Sequence, residues 1–157
     1  MNAKSASTPR AAQRALKDQL RRIFEERVPF NRVLGLKLVS LDTKNPRIRF
    51  DMRPELIGNP TRGALHGGVI SSVLDVAAGM DIHLAFIARH GLQEDLVFPN
   101  IGTVDLRVDY LRPGRGKHFV ATGRVLRMGR RIAVAHVELT NDEGELIATG
   151  AAAYVVG

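Results

Sequence analysis

The feature that most constrains the fold is a long apolar run that starts at His66-Gly67-Gly68 and continues to about Arg89. Its apolar residues follow helical spacing on one broad stripe, and further apolar residues lie off that stripe. This pattern is typical of a helix that is buried on nearly all sides. Gly91 predicts its end. A chain built on such a helix needs other elements to wrap around it.

Asp75 interrupts the apolar surface of this predicted helix. A carboxylate among apolar neighbours is costly unless it has a partner or a task. The helix start, at His66, Gly67 and Gly68, presents backbone N–H groups that lack internal partners and favour negative charge. An anion-accepting backbone and a potential base on one helix predict chemistry at a carbonyl group.

The spacing within this segment limits how such a site can be built. Asp75 follows His66 by nine residues, which is about 13 Å along a helix axis and places the two side chains on opposite sides. One carbonyl cannot contact both ends of the segment in the same chain. A site that uses both ends must be shared between two chains whose long helices lie antiparallel.

The rest of the chain predicts a tail, a second helix and several antiparallel strands. Polar residues 1–9 predict a disordered tail, and residues 10–28 predict a helix that Pro29 stops. Residues 54–65 predict a loop. Predicted strands cover residues 33–41, 47–53, 103–111, 119–126, 132–140 and 146–156. This order predicts an α+β domain over residues 29–157, with five to six antiparallel strands and the long helix packed on one face of the sheet.

Composition excludes several classes of function. The 157 residues contain no cysteine, which rules out disulfides and a thiol nucleophile and leads us to expect a cytoplasmic protein. Residues 1–32 carry eight basic and three acidic side chains, or +5 of the net +7. We interpret this as a solvated helix face and not as a nucleic-acid site, because aromatic residues are not interleaved with the basic ones. The histidines lack metal-ligand spacing, so no metal or cofactor is expected.

Two further expectations concern the long helix. Asp75, Asp81 and His83 interrupt its apolar residues, which leads us to predict no membrane span. Asp81 is a second carboxylate on the same helix, and we expect it to be paired or solvent-facing. Ser71 and Ser72 lack the Gly-x-Ser-x-Gly setting of a nucleophile, and we expect them to be small packing residues.

Several motifs taken together resemble the hotdog-fold thioesterases of the PaaI type, and among these the YigI-like medium- and long-chain acyl-CoA thioesterases most closely. The resemblance covers about residues 30–156 and rests on Asn59, His66-Gly67-Gly68, Asp75, Thr103-Val104-Asp105, Gly129-Arg130 and the segment from Asn141 to Gly150. It implies a hotdog fold, hydrolysis of acyl-CoA thioesters, and a homodimer or homotetramer.

The resemblance also implies roles for individual residues. The Gly67 N–H would bind the thioester oxygen, and Asp75 of a partner chain would act as general base or as nucleophile. Asn59 and Thr103 would orient the water or the carboxylate, and His66 would hold the loop. Residues expected to bind substrate are Gly68 and the cations Arg112, Arg115, Lys117 and Arg130, which could contact CoA phosphates.

Alternative functions remain open at this level. A non-catalytic acyl-CoA sensor on the same fold is the main one, since a fold does not fix a function. Regulators of that kind need an attached DNA-binding module, and the single helix at residues 10–28 is too little for a helix-turn-helix. A dehydratase acting on hydroxyacyl thioesters is less favoured, because no hydratase motif is present.

Overall fold

The computed structural model describes residues 9–90 and 101–157, with side chains from residue 14 onward. The helices are α1 (Pro9–Arg21), which continues as a π-helical segment (Arg22–Arg27), α2 (Pro29–Leu34) and α3 (Gly67–His90). The strands are β1 (Lys37–Ser40), β2 (Arg47–Asp51), β3 (Ile57–Asn59), β4 (Ala64–Leu65), β5 (Gly102–Tyr110), β6 (His118–Met128), β7 (Ile132–Asn141) and β8 (Leu146–Val155).

Six of these strands form one antiparallel sheet in the order β1-β2-β6-β7-β8-β5. The short strands β3 and β4 form a separate ribbon. Helix α3 packs against β5, β6, β7 and β8. This arrangement confirms the predicted α+β architecture of a long helix wrapped by an antiparallel sheet, with an additional helix at the N-terminus.

The core lies between α3 and the concave face of the sheet. Val73, Leu74 and Ile82 of α3 are fully buried against it, and each such side chain contributes roughly 1.5–3 kcal/mol to folding. Phe50 of β2 and Phe119 of β6 stack with ring centroids 5.2 Å apart. Ten residues of α3 are buried, among them the consecutive residues 81–84, which explains why the helix has so little polar surface there.

By length and composition, α3 is apolar enough to cross a membrane, so the expectation that this region is too polar for a span is wrong. The fold gives a different reason to regard it as a core helix. The sheet wraps around it, and 56% of its most apolar window is buried inside the molecule. A core helix satisfies the same length and composition criteria as a membrane span.

The N-terminal region differs from its prediction. Pro29 occupies the first turn of α2, where its fixed φ suits a helix start. Gly35, at φ 69°, ends that helix in the left-handed conformation. The predicted strand at 33–41 is therefore wrong at its start, and β1 begins only at Lys37. The predicted loop at 54–65 contains a 3-10 turn and the β3–β4 ribbon.

Two predictions fall partly or wholly outside the described residues. The disordered tail was predicted for residues 1–9, of which only Pro9 is described, as the first residue of α1. Gly91, predicted to end the long helix, follows directly after His90, the last residue of α3.

The two edges of the sheet are treated differently. At the β1 edge, the Glu25 carboxylate accepts the Leu38 N–H at 2.7 Å and pairs with Lys37 at 3.2 Å. The N-terminal segment thus covers an edge donor that would otherwise face solvent. At the other edge, within the described residues, β5 pairs only with β8. Among these residues no strand pairs with its outer edge.

Candidate active site

An imidazole caps the start of α3. The Nδ1 atom of His66 accepts the Gly68 N–H at 2.9 Å, as helix-capping side chains commonly do. Gly67 lies in the same first turn, whose amides have no partner within the helix. The Gly67 N–H therefore has no acceptor among the described residues, whereas the Gly68 N–H already donates to His66. Because Nδ1 accepts, the neutral His66 ring carries its proton on Nε2.

The glycines around His66 are required by close approach. A Cβ at Gly58 would lie 2.6 Å from the Cα of His66, and a Cβ at Gly68 would lie 2.9 Å from its Nδ1. Both contacts are shorter than non-bonded atoms tolerate. Gly68, predicted to bind substrate, thus leaves space for the His66 ring and donates its N–H to it.

Asn59 organises the loop before α3. Its Oδ1 accepts the N–H groups of Thr61 at 3.0 Å and Arg62 at 3.2 Å, which makes a side-chain turn typical of asparagine. Its backbone carbonyl accepts from Arg62 and Gly63. The Asn59 oxygen is therefore engaged by the chain itself, and the amide nitrogen is the part left to contact a ligand.

A cleft of about 390 Å³ opens beside the start of α3. Its lining includes Asn59, Arg62, Gly67, Tyr110 and Arg112. The Tyr110 hydroxyl, from the end of β5, donates to the Gly67 carbonyl at 3.1 Å. The predicted oxyanion donor thus lies at the wall of a cavity that also presents two arginines.

Asp75 lies roughly two helical turns beyond Gly67 on α3 and is half-buried. Its Oδ1 accepts the Thr103 hydroxyl at 2.9 Å and the Tyr154 hydroxyl at 2.5 Å. Two donors to one carboxylate oxygen hold the side chain in a fixed orientation. The structure therefore brings Asp75 and Thr103 together, as predicted, and adds Tyr154, which the sequence reasoning missed.

A β-bulge places Thr103 beside Asp75. Without a bulge, strict alternation along β5 would put Thr103 on the face opposite Leu106 and Val108. The pairing with β8 shifts register between Thr103 and Asp105, so Val104 is the extra residue and is 61% exposed. Thr103 then shares the helix-facing side with Leu106 and Val108, which pack on the core. Bulges commonly re-aim side chains beside active sites.

The two halves of the candidate site do not meet within one chain. Gly67 and Asp75 both belong to α3 and lie about 12 Å apart along its axis. Tyr110 contacts Gly67 and Thr103 contacts Asp75, so β5 runs from one half-site to the other.

The four predicted phosphate-binding cations fall into two groups. Arg112 donates to the Leu146 carbonyl at 2.8 Å, and Arg115 donates to the Arg62 carbonyl at 3.0 Å, near the Gly67 cleft. Lys117 directly precedes β6. Arg130 follows β6, whose 11 residues span roughly 35 Å. One chain does not bring Arg130 together with the others, whereas Arg62, not predicted, lines the cleft.

Asp81 is buried, so the expectation that it is paired or solvent-facing is wrong. It is 4% exposed, and neither carboxylate oxygen has a hydrogen-bond partner among the described residues. A Cβ at Gly123 of β6 would overlap this carboxyl group, so the glycine makes room for it. Burial raises the pKa of Asp81 to about 8, which leaves it protonated at neutral pH.

The two serines in the first turns of α3 bond to the backbone of the helix itself. Ser71 and Ser72 both donate to the Gly68 carbonyl, at 3.1 and 2.6 Å, as helical serines often do. Within residues 9–90 and 101–157, no group of three or more histidine, aspartate or glutamate side chains could hold a metal ion.

Comparison with known proteins defines the class. The family model of the thioesterase superfamily matches residues 62–148, a segment that includes Gly67, Asp75 and Thr103. The chain therefore belongs to the thioesterase superfamily. This confirms the resemblance that the motifs indicated.

Individual relatives are similar over almost the whole chain. The medium/long-chain acyl-CoA thioesterase YigI of Escherichia coli (strain K12) is 45% identical, over 93% of this chain and 96% of its own length. A crystal structure from Shewanella oneidensis, related to the thioesterase superfamily, has a TM-score of 0.86 at 40% identity, covering 96% of this chain and 100% of that one. A thioesterase family protein from Silicibacter pomeroyi has a TM-score of 0.72 at 26% identity, covering 89% and 98%.

Proposed function

We propose that this protein hydrolyses acyl-CoA thioesters, with Gly67 and Asp75 of two different chains completing each site. The observation that carries the proposal is the Asp75 carboxylate, held by two hydroxyl donors on a helix whose first turn leaves the Gly67 N–H available. The similarity to YigI, named as a medium/long-chain acyl-CoA thioesterase, supports acyl-CoA as the substrate.

In the proposed reaction, the thioester oxygen accepts the Gly67 N–H beside the cleft. Asp75 of the second chain removes a proton from water, and the water oxygen attacks the carbonyl carbon. The Gly67 donor stabilises the negative charge on the tetrahedral intermediate. The C–S bond then breaks, and the proton held by Asp75 passes to the departing CoA sulfur. Direct attack by the Asp75 carboxylate remains the alternative route to the same products.

The proposed pairing of two chains follows from the positions of the half-sites along β5. Thr103, at its start, contacts Asp75, and Tyr110, at its end, contacts Gly67. If the open edges of two β5 strands pair antiparallel about a two-fold axis, the start of one strand lies beside the end of the other. The Asp75 half-site of one chain then approaches the Gly67 half-site of its partner.

The charges around the cleft suit the CoA part of the substrate. Arg62 and Arg112 line the cleft, and Arg115 is anchored to the Arg62 carbonyl. Guanidinium groups bind phosphate oxygens in a fork geometry. We assign these three arginines, with Lys117, to the CoA phosphates. A cytoplasmic location and a homodimeric or homotetrameric assembly belong to the same proposal.

The proposal is tested by Asp75→Asn, assayed with acyl-CoAs of increasing chain length. The amide oxygen still accepts from both hydroxyls, but the side chain can no longer take a proton. We expect kcat to fall by about 100- to 10,000-fold, with substrate binding retained. Asp51→Asn, which removes an exposed carboxylate on the outer face of β2, is the matched control.

Full activity in a folded Asp75→Asn variant would show that Asp75 is not the base. Tight binding of acyl-CoA by the unaltered protein without any turnover would instead favour a non-catalytic acyl-CoA sensor.

A further inference from the structure

The hydroxyl group of Tyr154 lies between two oxygens of the same aspartate. It is 2.5 Å from Oδ1 of Asp75 and 2.6 Å from the Asp75 backbone carbonyl. The Tyr154 side chain is only 4% exposed. A phenol has one proton to donate, and the hydrogen bond to the charged carboxylate is the stronger of the two.

The register of the sheet gives this contact its geometry. Tyr154 of β8 is directly opposite Thr103 of β5, and both side chains face α3. Its neighbour on the other side is Ala133 of β7, which is small. In α3, Gly79 lies against the ring, since a Cβ there would lie 3.5 Å from Tyr154, an ordinary contact distance.

Both hydroxyls approach the same carboxylate oxygen. Thr103 and Tyr154 each contact Oδ1 of Asp75, so Oδ2 is the oxygen that they leave for another partner. Two hydrogen bonds to one oxygen also fix the side-chain rotation, which a single donor from a threonine does less firmly.

We propose that Tyr154 is a positioning residue for Asp75, holding Oδ1 so that Oδ2 faces the water that is to be activated. This inference rests on the proposed role of Asp75 as the base. It assigns Tyr154 no contact with substrate. Its effect on catalysis passes entirely through the orientation of the carboxylate.

The test is Tyr154→Phe, which keeps the ring and removes only the hydroxyl. We expect kcat to fall by about 10- to 100-fold, with KM changed less than roughly twofold, because the carboxylate is misplaced while the cleft is intact.

The Asn31→Ala variant is the control for an effect on stability alone. Asn31 is 3% exposed and donates to the Phe24 carbonyl at 2.9 Å in the N-terminal region. Its loss should lower the melting temperature without moving kcat or KM. If Tyr154→Phe behaves in the same way while Asp75→Asn is inactive, the inference is wrong and the proposed function stands. If Asp75→Asn is fully active, the proposed function itself fails.

A spectroscopic measurement covers the case in which Tyr154→Phe does not fold. The chain has two tyrosines, so the Tyr110→Phe variant reports Tyr154 alone in an alkaline absorbance titration. Burial and the hydrogen bond to Asp75 raise the pKa of Tyr154 above its usual range. Adding Asp75→Asn should lower that pKa, because the neighbouring charge is gone. An identical titration in both proteins would overturn the contact.

Discussion

Two successive backbone donors, at Gly67 and Gly68, differ in what they can do. The Gly68 N–H is held by His66, so only the Gly67 N–H of this pair can face a developing oxyanion. The distinction depends on an imidazole acting as a helix cap. In the proposed mechanism, His66 thereby leaves the Gly67 N–H as the oxyanion donor, and the two successive glycines have different roles.

The first prediction removes the Gly67 donor alone. Proline suits the first position of a helix and has no N–H, so Gly67→Pro should preserve α3 and lower kcat by about 100- to 1000-fold. Gly67→Ala keeps the N–H and adds a Cβ at 3.5 Å from Tyr110, an ordinary contact, so it should retain most of the activity. Steady-state kinetics distinguish them. Equal activity in the two variants would exclude this N–H as the oxyanion donor.

At the scale of elements, the sequence predicted the long helix well, because its apolar residues follow helical spacing over more than twenty positions. It also predicted that Gly67 and Asp75 cannot serve one carbonyl within a single chain, and the structure places them apart on α3. It could not predict the bulge at Val104, which depends on pairing between β5 and β8. Alternation along β8 places Tyr154 on the same face as Ala152, so the strand pattern contained a clue to its burial. Its partner on α3 is a tertiary contact that no local pattern contains.

The packing of α3 against β6 encloses the second acid of the helix. Asp81 is buried without a hydrogen-bond partner among the described residues, opposite Gly123. Removing a carboxyl group from water disfavours its charged form. This contact therefore makes the stability of the helix–sheet interface depend on pH.

We predict that stability falls as pH rises between about 4 and 8 because of Asp81. Burial raises its pKa from 3.8 to about 8, so within this window the unfolded chain loses a proton that the folded chain keeps. The free energy of unfolding then decreases by up to about 1.4 kcal/mol per pH unit, and the decrease is complete above pH 8.

The measurement is urea unfolding at several pH values for the unaltered protein and Asp81→Asn. The free energy of unfolding of Asp81→Asn should depend less on pH than that of the unaltered protein. Asp51→Asn, at an exposed position, shows how much slope an ordinary surface carboxylate contributes. A wild-type slope in Asp81→Asn would mean that Asp81 does not titrate as its burial requires.

At the scale of the whole molecule, the placement of half-sites predicts that activity needs two chains. Gly67 and Asp75 cannot meet along one helix. Strand β5 runs from one half-site to the other, and its outer edge pairs with no strand among the described residues. Asp75→Asn and Gly67→Pro would each inactivate both sites of a dimer. A mixed dimer, however, contains one site with both residues intact.

Mixing these two inactive variants by co-expression should therefore restore activity. Random pairing gives half mixed dimers with one working site of two, or about a quarter of the unaltered activity. The readout is specific activity of the purified mixture, with each variant alone as control. No gain on mixing would show that each site is contained in one chain.

The covered β1 edge has a consequence for how far assembly can proceed. A sheet with two free edges can add copies without limit, whereas Glu25 occupies one edge of this sheet through the Leu38 N–H. Once two β5 edges are joined, the combined sheet ends in a capped strand on both sides. We therefore expect the N-terminal segment to stop strand addition at two copies of the proposed sheet, although it does not contact the site.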